Sequence, residues 1–403
     1  MKEYILSNGV KLIYKKGASE LASICIGLDA GAAVEDELLG LAHATEHMVY
    51  KGTKSRSEGE INEALSKVFG FHNAMTNYPY VIYYGTLLGE DLEAGIEIFS
   101  DILINPIFPN QGFREEMDVI MEELKEWDEE LEQFCEDKLF FNFFKNNRLK
   151  YPIIGRDKDL EKIKLEDLKE FYNKYYSPEN TCISVVSSLE FEEVISKIDK
   201  YFGVWKGNSK AVSKVSLELP NTGLFEDCRD GINTSKVQII APIASLTNEE
   251  LKALRLFNSY FGEGVNSILF DTLRTKNGLV YDVLTRVAFE KHIGIYKITF
   301  STSKDKAMTA INLIKECISH LDNHIEILTE KKIDELCKGI RLKKLFREEQ
   351  TIQLAKELST YEVMFGDYKL YDNMLDGMSS LSGSFIINVA KKVLSNISIE
   401  IIS

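Results

Sequence analysis

Apolar residues along this chain follow two rhythms. Some alternate or cluster over about four to eight residues, as strands do, and others recur every three or four positions, as helices do. Tyr4-Ile5-Leu6, then Asn8-Gly9, then Val10-Lys11-Leu12-Ile13-Tyr14 predicts a β-hairpin, since Asn-Gly accepts the positive φ of a tight turn. Ser23-Ile24-Cys25-Ile26-Gly27-Leu28 predicts another strand. Residues 58–68 predict a helix capped by Ser57. Further strands are expected around Asn73-Ala74-Met75-Thr76 and Val81-Ile82-Tyr83-Tyr84, then helices over 91–103 and from 111 past Trp127. This order is α+β rather than a strict strand–helix alternation.

The second half repeats the first. Tyr83-Tyr84-Gly85-Thr86-Leu87 runs into Asp91-Leu92-Glu93-Ala94-Gly95-Ile96, just as Ile298-Thr299-Phe300-Ser301-Thr302 runs into Lys306-Ala307-Met308-Thr309-Ala310-Ile311. Each is a strand followed by a helix with apolar residues at helical spacing. A chain of 403 residues is long for one core. The polar stretch from Lys206 to Lys214 suggests domains 1–207 and 221–403 joined by a linker over 208–220. A last strand is expected over 397–402.

Composition narrows the class. Hydrophobic residues make up 44% and charged residues 28%, ordinary for a globular protein, and no apolar run is long enough for a bilayer. The first residues break into a turn before any signal-peptide apolar region forms, so a cytoplasmic location is expected. Six scattered cysteines, with no CxxC pair, read as reduced and mostly core. The net charge of −15 counts against nucleic acid as a partner and serves solubility first, although it would also suit basic peptides.

The chemistry concentrates in five residues, His43-Ala44-Thr45-Glu46-His47. Positions three and four apart share a helix face, so two imidazoles and a carboxylate converge. That set suits hydrolysis by water activated on a metal, with Glu46 as general base: the inverted H-x-x-E-H pattern. A third ligand is needed, and His72, His292, His320, His324 or a carboxylate would serve. On the helical wheel of residues 113–127, Phe113, Met117, Ile120, Leu124 and Trp127 form an apolar stripe. Glu116 and Glu123 lie at its edge, whereas Glu115, Glu122 and Glu126 face away. The wheel leaves both edge acids open.

These residues carry a resemblance. Gly40 through Thr53, Gly-Leu-Ala-His-Ala-Thr-Glu-His-Met-Val-Tyr-Lys-Gly-Thr, resembles the signature of the pitrilysin-type M16 zinc metallopeptidases, which include insulin-degrading enzyme and mitochondrial processing peptidase. The likeness covers nearly the whole chain, which is closest in size to the short bacterial two-domain branch. It implies two homologous α/β-sandwich domains, each a mostly antiparallel sheet packed with helices. It implies one Zn²⁺ per chain held by His43, His47 and Glu123, which stands 76 residues after His47, with Glu116 as an accessory catalytic glutamate. Asn73-Ala74-Met75-Thr76 matches the family's edge strand, on which an extended peptide adds as another strand, making Asn73 and Ala74 substrate-binding residues. Arg274 and Tyr281 match an Arg/Tyr pair that reaches the substrate and could donate to the oxyanion.

Three departures bear on pocket shape: Ala44-Thr45 replaces a bulkier pair, Phe69-Gly70 keeps one of two usual glycines, and His72 stands where no histidine is expected. Alternation turns His72 away from Asn73's face, which favours a structural role. The function implied is hydrolysis of short or unfolded peptides inside a chamber formed by a homodimer or by a heterodimer with another M16-type chain. The alternative is an inactive partner or structural subunit. Such relatives lose ligands, and here His43, Glu46, His47 and Glu123 are all present. A metal-dependent hydrolase of non-peptide substrates has less support, because the edge strand has no use for a small molecule.

Overall fold

The computed structural model describes residues 1–207 and 221–403; the expected linker, 208–220, lies outside the described residues. The described chain forms two compact units.

The first unit is built on six strands: β1 (Lys2–Ile5), β2 (Lys11–Lys16), β3 (Leu21–Leu28), β4 (Phe69–Thr76), β5 (Val81–Leu88) and β6 (Thr181–Ser187). They lie in the order β1-β2-β6-β3-β5-β4, antiparallel except for β2 beside β6. The opening hairpin forms around Asn8-Gly9, with Gly9 at φ 97° and Leu6 donating to the Val10 carbonyl at 2.9 Å. Both faces of the centre are covered, so every residue of β6 is buried, Thr181, Ser184 and Ser187 included.

One face packs on helices α1 (Leu41–Met48), α2 (Glu58–Val68) and α3 (Leu92–Ile104), with Gly95 of α3 close against Leu87 and Phe69. Ser57 caps α2 in a reciprocal box with Glu60. The opposite face, carrying Ser23, Cys25 and Gly27, is covered by a helix from far along the chain, Thr351–Phe365. A Cβ at residue 27 would sit 2.5 Å from Ser359 Oγ, so this close approach requires Gly27.

The second unit has five strands, β7 (Gly223–Asp227), β8 (Thr234–Pro242), β9 (Val283–Phe289), β10 (Gly294–Ser303) and β11 (Ser398–Ile402), in the order β7-β11-β8-β10-β9. Only β7 beside β11 is parallel. This is the β2-β6-β3-β5-β4 pattern again, so the internal repeat extends from one strand–helix pair to a whole sheet. Helices Asn248–Phe261 and Gly383–Leu394 bury Leu254, Phe257, Phe261, Ile387 and Val393 in its core. Its other face is covered by α5 (Leu131–Phe143), which follows α4 (Asn110–Glu129).

The units therefore differ from the expected 1–207 and 221–403 division. The first takes in Leu345–Asp372 and the second takes in Trp127–Lys150. A sheet with one bare face leaves apolar area in water, and here each sheet is closed by a helix from the other half of the sequence. All six cysteines are free, but only Cys25, Cys135 and Cys182 are buried; Cys228 is exposed and two are half-buried. No helix of the described residues is long and apolar enough to cross a membrane.

Candidate metal centre

Helix α1 is short, and its start is held in place from outside. Gly40 precedes it at φ 94°, and a Cβ there would lie 2.5 Å from the Ile154 carbonyl oxygen. The Glu35 carboxylate accepts from the N–H groups of Gly40 at 3.0 Å and Ala42 at 2.7 Å, satisfying helix-start donors that no preceding turn can. Its next turn presents His43 and His47 on one side, their Nε2 atoms 3.2 Å apart.

Helix α4 brings the third group. Glu123 Oε1 stands 3.7 Å from His43 Nε2, and Oε2 stands 3.7 Å from His47 Nε2. The wheel is reproduced: Glu116 and Glu123 are half-buried, while Glu115, Glu122 and Glu126 are exposed. A tetrahedral zinc with ligands at about 2.0–2.2 Å keeps them about 3.3–3.6 Å apart, so these edges fit such an ion. A zinc ion held by these three residues would keep one position for water. Among the described residues, His43, His47 and Glu123 are the one group of three His, Cys, Asp or Glu side chains close enough to share an ion. His72, His292, His320 and His324 do not join it.

Electrostatics suit a cation. Burial, with His47 beside it, pushes the His43 imidazole down to about 3, so it stays neutral with a lone pair to give. Its Nδ1 is buried and makes no hydrogen bond among the described residues, so its polar contacts are made through Nε2. His47 is oriented differently: Nδ1 meets Glu116 Oε1 at 2.7 Å, which aims Nε2 at the site. Burial works to lower the His47 pKa, but the Glu116 bond and the surrounding carboxylates carry it above the ordinary value. The same bond from His47 holds Glu116 below the usual carboxylate range, while burial raises Glu123.

Glu46 points from the same turn and is buried. Burial raises its carboxyl above the ordinary value, opposed by Thr76, whose hydroxyl donates to Oε2 at 2.6 Å. A buried carboxylate with a raised pKa is suited to taking up and passing on a proton.

β4 is the sheet edge, paired only with β5, and ends at Thr76. Asn73 is exposed on it and Ala74 half-buried. His72 lies on the same side as Phe69, the side packed on α3, its ring edge-on to Phe69 at 6.0 Å. In the second unit, the Arg274 guanidinium stacks on the Tyr281 ring at 4.6 Å, and Tyr281 is 82% exposed. The two are brought together, on an irregular helical turn over Asp271–Lys276 and the loop after it.

Three further residues contribute that motif reading missed. Glu35 caps α1, Thr76 holds Glu46, and Lys51 Nζ binds Glu116 Oε2 at 3.1 Å and Glu58 at 2.8 Å. Thr76 and Lys51 stood inside the quoted segments, but nothing in their spacing revealed their partners.

This fold and centre define a class, and the chain belongs to peptidase family M16. Residues 12–157 match the profile described as Insulinase (Peptidase family M16), and residues 162–339 match the Peptidase M16 inactive domain. All of the metal-centre residues fall in the first match. Over 97% of its length the chain is 25% identical to a protein of Rickettsia felis named an uncharacterized zinc protease, covering 94% of it. It is 23% identical over 96% of its length to the mitochondrial-processing peptidase subunit beta of Lentinula edodes, covering 86% of that protein. In fold it is similar to a protease from Helicobacter pylori, with a TM-score of 0.91, 18% identity and coverage of 100% of this chain and 99% of the other.

Proposed function

We propose that this chain is a zinc-dependent peptidase that hydrolyses short or unfolded peptides, one Zn²⁺ per chain. The observation that carries the reading is the convergence of His43, His47 and Glu123 within 3.2–3.7 Å beside a buried glutamate. His43, His47 and Glu123 would hold the ion, which when bound supplies Lewis acidity to water and to the scissile carbonyl. Glu46 takes the proton from the attacking water and returns it to the leaving amine. Glu116 keeps the His47 ring turned with Nε2 forward. The edge of β4 aligns an extended peptide through backbone hydrogen bonds at Asn73 and Ala74, which suits many sequences. Arg274 and Tyr281 offer donors to a peptide carbonyl. The working form is a dimer, of this chain or with another M16-type chain, as the name of the Lentinula relative's subunit suggests.

Metal analysis and mass spectrometry of peptide-library products test this together. About one zinc per chain is expected, with turnover abolished by chelation and restored by zinc. Zinc-loaded protein that cleaves no peptide, alone or mixed with a second M16-type chain, would support the inactive-subunit reading instead.

A further inference from the structure

We propose that Thr76 is a positioning residue through which the peptide-binding edge strand sets the placement of Glu46. This rests on the peptidase reading above. Glu46 is a buried carboxylate, and among the described residues its hydrogen-bond partner is the Thr76 hydroxyl, which donates to Oε2 at 2.6 Å. A buried carboxylate with one partner takes its rotamer from that partner. Since Oε2 is engaged, Oε1 is the oxygen left for the attacking water.

Thr76 is also the last residue of β4, facing Val81 across the ladder. Downstream of it the chain is clamped. Ala32 donates to the Asn77 carbonyl at 2.9 Å and Ala33 to the Tyr78 carbonyl at 2.8 Å, and a Cβ at residue 31 would lie 2.3 Å from the Asn77 oxygen. Upstream of it, residues Phe71 to Met75 form the edge, paired on one side only and mostly exposed or half-buried. Thr76 thus joins a rigid turn to an edge strand that pairs, among the described residues, with β5 on one side only. A peptide that adds to β4 satisfies that edge, stiffens the segment leading into Thr76, and so narrows the arc available to the Glu46 carboxylate. Binding on the strand and readiness of the base become one event. Substrates that engage more of β4 gain in kcat as well as in KM.

The test uses Thr76→Val, which keeps the shape and removes the hydroxyl, beside Thr76→Ser, which restores it. With peptides lengthened one residue at a time along β4, wild-type kcat should rise with length. In Thr76→Val, kcat should fall on the order of 10²-fold and lose its length dependence, while KM still improves with length and zinc content is unchanged. Thr76→Ser should recover most of both. A Thr76→Val enzyme whose kcat keeps the wild-type length dependence overturns the proposal, as does a loss that Thr76→Ser fails to rescue. The crystal structure of Thr76→Val decides the matter without turnover: the Glu46 carboxylate should leave its wild-type position, and an unmoved carboxylate overturns the idea. Absence of peptide cleavage by the wild type strikes the peptidase reading instead, and leaves this structural result to stand or fall separately.

Discussion

Lys51 acts on the metal centre without touching it. Its ammonium, buried against Glu58 and Glu116, fixes the oxygen of Glu116 that does not meet His47, so the imidazole is braced through two ion pairs. Lys51→Met should lower zinc affinity about 10–100-fold, read by competition with a chromogenic chelator. Glu46→Gln should behave oppositely. It is isosteric and lies outside the ligand set, so zinc content should hold while peptide turnover falls on the order of 10²–10⁴-fold. Unimpaired turnover would remove Glu46 from the role of base.

At the scale of elements, α1 and α5 show how local sequence and borrowed contacts divide the work. Gly40→Ala would force a side chain into φ 94° and against the Ile154 carbonyl, costing at least about 1–2 kcal/mol and displacing both histidines together. A lowered melting temperature with reduced zinc content checks this. Helix α5 docks on its sheet through polar groups: Asn142 donates to Glu400 Oε2 at 2.8 Å, and Gln238 Nε2 donates to the Glu132 carbonyl at 3.1 Å. Burial pushes the Glu400 carboxyl up to about 7. A carboxyl whose folded pKa is raised favours folding below its ordinary value of 4.5, and that contribution is lost as pH rises through about 7. Glu400→Gln stays neutral, so denaturant melts should show its stability gaining on the wild type between about pH 4.5 and 7. A constant difference across that window would contradict the buried, protonated form.

For the whole molecule, the exchange of helices makes the two units depend on one chain. A fragment of residues 1–207 would lack Thr351–Phe365 and expose the Ser23, Cys25 and Gly27 face of its sheet. We expect that fragment to bind a hydrophobic dye and to melt without cooperativity, whereas the full chain melts sharply. A cooperative fragment melt would show that the borrowed helix is dispensable.

Much of this was written in local pattern. The Asn8-Gly9 hairpin, the Ser57 cap and the spacing of His43, Glu46 and His47 depend on interactions within a few residues, which any stretch of sequence carries with it. The wheel of α4 likewise set Glu116 and Glu123 apart from Glu115, Glu122 and Glu126, because helical periodicity alone decides which acids turn inward. Other features had no local signature. The grip of Thr76 on Glu46, the brace from Lys51 and the helix Thr351–Phe365 closing the first sheet join residues from 30 to more than 300 positions apart. Such contacts exist only once the sheets have chosen their register and their covering helices, and that choice belongs to packing between distant segments, which periodicity cannot encode.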